Sequence, residues 1–260
     1  MKKKILEQLN DHPWRDSIHF FDTIDSTNTR AKVLALQGAP AGTVLIADHQ
    51  TGGRGRLGRT FLSPAGTGIY MSVILRPDCP PARLMHLTCA AAVAACDAVE
   101  SAVGLRPGIK WTNDLVCGSR KLAGILTELG LSPRGTVDWA VIGIGINCLQ
   151  QEEDFDPSIR SFAGSLSMFA SCDRVKVAAA LVEAFSAMDL SQKESIMDRY
   201  RRSCVTLGRE VSLVREGNPV RHGRAVDIDS DGALIVEFPP GVRETVNSGE
   251  ISIRGMYGYV

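Results

Sequence analysis

The sequence predicts an α+β domain followed by a small, barrel-like all-β module. Three observations carry this. Apolar strand-like runs and longer helical stretches share residues 24–203. After Leu207-Gly208 the pattern changes to short alternating strands broken by turns. The composition, 44% hydrophobic and 22% charged over 260 residues, suits a folded chain with a real core.

The elements follow in order. Residues 24–37 read as a helix entered through Asp25, Ser26 or Thr27 as its cap and ended by Gly38 and Pro40. Residues 43–49 read as a buried strand, 50–67 as a loop rich in glycine and arginine, and 68–76 as a second strand closed by Pro77. An alanine-rich helix with a long apolar face fits 83–103. Residues 108–117 give a strand, a turn at Thr112-Asn113-Asp114 and a second short strand. Gly118-Ser119 then offers a hairpin turn into a strand over 120–130. Another buried strand covers 137–147, acidic residues 152–156 and Pro157 mark a loop, and helices are expected near 173–190 and 193–203. Beyond that, residues 210–254 show turns at Glu216-Gly217-Asn218, Asp231-Gly232 and Pro239-Pro240-Gly241. The expected division is a first domain over 1–205, with 1–18 a short extension, and a second over 206–260.

Charge and cysteine usage exclude several classes. Twenty-nine acidic and 29 basic residues cancel, whereas a general nucleic-acid binder carries a basic excess. Any anion site must therefore be a local concentration of charge. The seven cysteines form no CxxC pair and read as free thiols of a reducing cytosol. His12, His19, His49, His86 and His222 have no zinc-ligand spacing. Glu7, Gln8 and Asn10 interrupt the apolar N-terminal run too early for a signal peptide. Residues 84–103 contain His86, Asp97 and Glu100, which reads as too polar to span a membrane. A soluble, cytoplasmic protein without a membrane partner is expected.

Four clusters carry candidate chemistry. Gly53-Arg54-Gly55-Arg56-Leu57-Gly58 matches the dinucleotide pattern GxGxxG, which requires a helix to begin at the loop; Pro64 and Gly66 argue against one. What remains is a glycine-hinged loop with Arg54, Arg56 and Arg59, whose forked donors suit carboxylate and phosphate oxygens. Such a loop can fold over a reactive acyl phosphate and shut out water. The plain alternative is a solvated basic hairpin tip. In Lys110-Trp111-Thr112-Asn113-Asp114, the Asn and Asp either cap a turn or face a nucleotide and its Mg²⁺. Lys121 opens an apolar strand; by local pattern a solvated lysine is the stronger reading. Gly143-Ile144-Gly145-Ile146-Asn147 places glycines in a buried strand, for a closely approaching ligand or for tight core packing.

Taken in order, Ser26-Thr27-Asn28, Gln50 with GGRGRLGR, KWTND, RKLAGILTE and VIGIGIN resemble the biotin protein ligases. The tail segments GREV, GRAVDIDSDGALIVE and SGEISIR resemble that family's C-terminal SH3-like module, so the likeness covers roughly 20–255. It implies a mixed β-sheet catalytic domain flanked by helices, class II synthetase-like in kind, with an SH3-like β-barrel behind it. It also implies a reaction: biotin attacks the α-phosphate of ATP, pyrophosphate leaves, and biotinyl-5′-AMP passes biotin to a lysine of the biotin carboxyl carrier protein of acetyl-CoA carboxylase.

Carried over by position, the resemblance assigns Ser26, Thr27, Asn28, Gln50, Gly53, Arg54, Gly55, Arg56, Lys121, Gly124 and Gly145 to biotin. It assigns Arg56, Arg59, Phe61, Lys110, Asn113, Lys121 and Asn147 to ATP. Lys121, Arg54, Asp114 and Lys110 become the catalytic set, with Asp114 also the candidate Mg²⁺ ligand or proton acceptor. Thr112 stands where the family commonly has proline, and Phe61 where it has tryptophan. Only about 20 residues precede the matching region, so a ligase without DNA binding is expected, and a homodimer fits the resemblance. The rivals are a lipoate ligase or octanoyl transferase, and a non-catalytic binding module, which lacks the basic stripe it would need.

Overall fold

The computed structural model describes residues 1–214, 220–247 and 252–254. Seven strands form the main sheet: β1 (Ile18–Ile24), β2 (Val44–Gln50), β3 (Gly68–Leu75), β4 (Gly108–Lys110), β5 (Asp114–Cys117), β6 (Arg120–Leu131) and β7 (Val137–Asn147). Their order is β1-β2-β3-β7-β6-β5-β4. The β1–β2 pair is parallel and the other pairs are antiparallel, so the sheet is mixed.

Strand residues alternate between faces, which divides the core. On one face Leu45, Ile74, Trp139 and Val141 pack with Ala31 and Ala35 of α2 (Thr27–Leu36). On the other face Ile46, Ile69, Val73 and Ile142 join α3 (Leu87–Val103) and α4 (Arg174–Ser186) in a larger core. The alanines of α3 let α4 and α5 (Lys193–Ser203) approach closely. The stretch Pro81–Val103 is in fact apolar and long enough, by composition alone, to cross a membrane. Its burial between helices and sheet makes it a core helix here.

The second sheet holds β8 (Glu210–Val214), β9 (Arg221–Ile228), β10 (Leu234–Phe238), β11 (Val242–Val246) and β12 (Ser252–Arg254), ordered β11-β10-β9-β8-β12 and antiparallel throughout. Ala225, Ile228, Leu234, Val236 and Phe238 face inward, as an SH3-like module requires. The turn expected at Glu216-Gly217-Asn218 and the start of the SGEISIR segment lie outside the described residues.

Two expectations change. Residues 1–18 are more than an extension: α1 (Lys2–Gln8) packs on α4, and Ile5 and Leu9 are buried in the main core. Strand β1 had no sequence signal; its burial is only partial, because it is an edge strand. The helix read over 24–37 is entered through Ser26, one of the three expected caps: it starts at Thr27, and Ser26 Oγ accepts from Thr29 N.

Candidate active site

Across one end of the main sheet lies a cavity of about 600 Å³. Sheet order explains how distant residues meet there. Ser26, Thr27 and Asn28 follow β1, Gln50 ends β2, Lys110 ends β4, Asp114 opens β5, Lys121 and Gly124 lie on β6, and Gly145 and Asn147 close β7. The loop between β2 and β3 folds over them. Every residue assigned above lines this cavity except Gly53, which sits behind the wall, where a Cβ would overlap Phe61 O.

The loop is a closed hairpin tip. Arg54 and Thr60 form an antiparallel bridge, Gly55 N donates to Arg59 O at 2.7 Å, and Phe61 N donates to Gly53 O at 2.9 Å. One helical turn, Arg56–Gly58, occupies the tip, and no helix follows before β3. That removes the dinucleotide fingerprint on geometry. The hairpin-tip reading holds for the backbone, but Arg54, Arg56 and Arg59 face the cavity rather than only solvent. Arg56 Nη1 donates to Asn113 Oδ1 at 2.8 Å and Thr112 Oγ1 at 3.3 Å. Burial lowers the Arg56 pKa, and Asp114 opposes the shift.

At the end nearer α2 the polar groups form a connected network. Gln50 Oε1 accepts from Thr27 N at 2.8 Å and Thr27 Oγ1 at 3.1 Å, while Gln50 Nε2 donates to Ser63 Oγ at 2.9 Å. The fully buried Ser72 hydroxyl lies 2.8 Å from Thr27 Oγ1 and 2.6 Å from Asn28 Oδ1. Asn28 Nδ2 donates to Leu126 O and to Glu128, which pairs with Lys32 at 2.6 Å. Gly143 is needed because any Cβ there would overlap Asn28 Oδ1.

At the other end, Lys121 Nζ stands 2.7 Å from Asp114 Oδ1, so this lysine faces inward and the solvated reading fails. Burial holds the Lys110 pKa down at about 8, with Asp114 raising it and Lys121 lowering it further. Five cationic side chains and two carboxylates line the cavity, a local positive excess in a chain of zero net charge. The Phe61 ring lies over Gly145 and Gly124 and meets Tyr70 edge-on, centroids 6.4 Å apart. The close approach that Gly145 permits is thus an aromatic ring's. Among the described residues no three His, Cys, Asp or Glu side chains gather as a metal cage. Asp114 is one carboxylate, already paired, so a Mg²⁺ ion would take its remaining ligands from nucleotide phosphates.

Sequence reasoning missed part of the wall. Trp111 lines the cavity and donates through Nε1 to Gly232 O at 2.8 Å, tying the second sheet to the site. Gln150, Phe155, Ile159 and Phe162 form a further side. The apolar spacing of Phe155, Ile159 and Phe162 was the available signal, hidden inside an acidic loop.

Comparison with known proteins decides the kinship. Residues 20–147 match the biotin/lipoate A/B protein ligase family and 206–254 the biotin protein ligase C terminal domain. The chain belongs to the biotin protein ligase family. It is 35% identical over 238 residues to the bifunctional ligase/repressor BirA of Bacillus spizizenii, covering 89% of this chain and 72% of that one. It is 33% identical to the biotin--[acetyl-CoA-carboxylase] ligase of Mycobacterium tuberculosis over 87% of this chain and 85% of that one. The biotin protein ligase of Aquifex aeolicus, solved in complex with biotin and ATP, superimposes with a TM-score of 0.76 at 29% identity, covering 91% of this chain and 98% of that one. This member of the biotin protein ligases is therefore a ligase enzyme, with the family's catalytic fold and its SH3-like module.

Proposed function

We propose that this ligase joins biotin and ATP into biotinyl-5′-AMP, releases pyrophosphate, and then passes biotin to a lysine of a biotin carboxyl carrier protein, releasing AMP. The observation that carries it is the inward-facing Lys121, held 2.7 Å from Asp114 among Arg54, Arg56 and Lys110. Two anions must meet in the first step, and fixed cations lower that cost by stabilising charge as it develops.

In this reading Ser26, Thr27, Asn28 and Gln50 hold the biotin head group, and Gly53 and Gly55 shape the loop that closes over it. Lys121 spans the carboxylate and the α-phosphate. Arg54, Arg56 and Arg59 cover the adenylate and exclude water. Lys110, Asn113 and Asn147 face the nucleotide with Phe61, whose ring Gly145 admits against the sheet, and Gly124 lets the ligand approach beside it. A Mg²⁺ ion carried by ATP would be held by the phosphates and Asp114 and would supply neutralisation of phosphate charge. Asp114 accepts the proton of the incoming lysine. The domain division at 205 separates this site from the module that buttresses it. The test is pyrophosphate–ATP exchange with biotin, with lipoate and with neither. Stimulation by biotin alone is expected; stimulation by lipoate instead assigns the lipoate branch, and none at all rejects the reading.

A further inference from the structure

The loop between β2 and β3 is held differently at its two ends. Its entry is tied by main-chain bonds: Thr51 N donates to Ile24 O at 2.9 Å and Gly52 N to Asp25 O at 2.8 Å. Its return is tied by side chains. Tyr70 Oη donates to Pro64 O at 2.9 Å, and Gly66 N donates to Asp48 Oδ2 at 3.1 Å. Gly66 has a φ of +78°, in the left-handed region that glycine adopts freely, so it marks the hinge. The other oxygen, Asp48 Oδ1, accepts from Arg174 Nη2 at 2.7 Å, and Arg174 Nε donates to Gly68 O at 2.9 Å. Asp48 and Arg174 thus grip the chain at Gly66 and Gly68, on either side of Thr67.

The grip is anchored in the core. Asp48 shares a face of β2 with Ile46, which packs in the larger core together with α4. Arg174 opens α4, whose start is fixed by Asp173 accepting from Val175 N at 2.8 Å. The Arg174 side chain is 13% exposed, so its charge-assisted bonds are little screened. Neither residue lines the cavity, whereas Arg54, Arg56 and Arg59 do. What Asp48 and Arg174 can fix is the direction from which those arginines meet a ligand. A tilt at the hinge is magnified at the loop tip, and small errors in placement carry large rate costs.

We propose that Asp48 and Arg174 are positioning residues for the closing loop: by fixing Gly66 and Gly68 they seat the loop's arginines over the adenylate, which keeps it from water until the acceptor lysine arrives. The inference rests on the proposed reaction and adds its fidelity. Where the loop fails to seat, water attacks the acyl carbon, the bond to the phosphate oxygen breaks, and biotin and AMP leave with no biotin transferred.

The test compares AMP formed with biotin transferred to the carrier protein. In wild type the two should match. In Arg174→Gln, and in Asp48→Asn, which keeps one acceptor oxygen for two donors, the excess of AMP should rise about tenfold, the factor that one charge-assisted hydrogen bond supplies. Arg174→Lys keeps the pair with Asp48 without also reaching Gly68 O, and should restore part of the coupling. The double variant should leak no more than either single one, because the two residues act as a unit. Thermal melting checks that the variants fold. A lower melting temperature with AMP and transfer still matched, or losses that add in the double variant, would overturn the proposal. A second readout needs no reaction. Trypsin cuts after Arg54, Arg56 and Arg59 when the loop opens, and with biotin and ATP present both single variants should be cut there about tenfold faster than wild type. Equal cleavage rates would also overturn it. Absence of biotin-stimulated exchange in wild type would reject the proposed reaction alone, while the cleavage rates still decide the positioning role.

Discussion

Lys121 Nζ and Asp114 Oδ1 are 2.7 Å apart at the floor of the cavity, with side chains 29% and 17% exposed. Asp114 pairs in register with Gly124 of the neighbouring antiparallel strand, and Lys121, three residues before Gly124, reaches along that strand past the glycine to the carboxylate. The pair holds the ammonium inside the site before any substrate arrives. Lys121→Ala should lower biotin-stimulated pyrophosphate exchange by roughly 10²–10³-fold, as for loss of a group aimed at developing charge. The melting temperature should change little, because the pair is partly exposed. Wild-type exchange in this variant would remove Lys121 from its role.

Lys110 sets a pH dependence. Burial lowers its pKa from 10.5 to about 8, so its charge is present below that value and is lost as pH rises through it. A bound phosphate favours the charged form, so ATP binding takes up a proton above about pH 8, and the ATP KM should climb there. Lys110→Arg, which stays charged, should flatten that rise. An equally steep climb in the arginine variant would place the titrating group elsewhere.

Ser72, on β3, connects Thr27 to Asn28 of α2. Ser72→Ala removes one donor from buried polar groups, at a cost of about 1–3 kcal/mol. Its signature should be a raised KM for biotin with the ATP KM unmoved. A change confined to ATP would show that this network serves the other substrate.

Gly143 touches Asn28 where a side chain cannot fit. Gly143→Ala should displace the Asn28 amide, raise the biotin KM and destabilise the fold by about 1–3 kcal/mol, as overpacking does. The effect is read by chemical denaturation together with exchange kinetics. An alanine tolerated in both would mean that Asn28 can move aside freely.

Trp111 joins the two sheets through Gly232 O, and its main-chain N–H donates to Thr206 Oγ1 at 2.9 Å. Trp111→Phe keeps a ring and loses the indole donor. Stability should fall by about 1–2 kcal/mol, and the ATP KM should rise because Lys110 and Asn113 flank this residue. Unchanged kinetics at reduced stability would limit the contact to holding the module in place.

Much of the site was legible because its chemistry is local. The glycine-arginine loop, Lys110-Trp111-Thr112-Asn113-Asp114, and the glycines of β7 are short runs whose residue types already limit what they can do. The absent helix after the loop was legible too, from Pro64 and Gly66, and the structure agrees. Lys121 was not. Its own strand gives the solvated reading, and only Asp114, on a neighbouring strand, turns it inward.

The sequence by itself determined the strand and helix order from β2 onward, the change to a β module after residue 207, and the residue types of the cavity, because periodicity and turn chemistry act over a few residues. Tertiary structure alone decided three things. It drew Ile5 and Leu9 into the core, set the Phe61 ring over Gly145, and left Gln150 Oε1 buried without a hydrogen-bond partner. Each depends on what lies opposite in space, where sheet order brings β1, β7 and the 154–163 segment to one end; a linear pattern carries no record of that neighbour. The loop's arginines show both halves: their number was written in the chain, and their direction came from the cavity they cover.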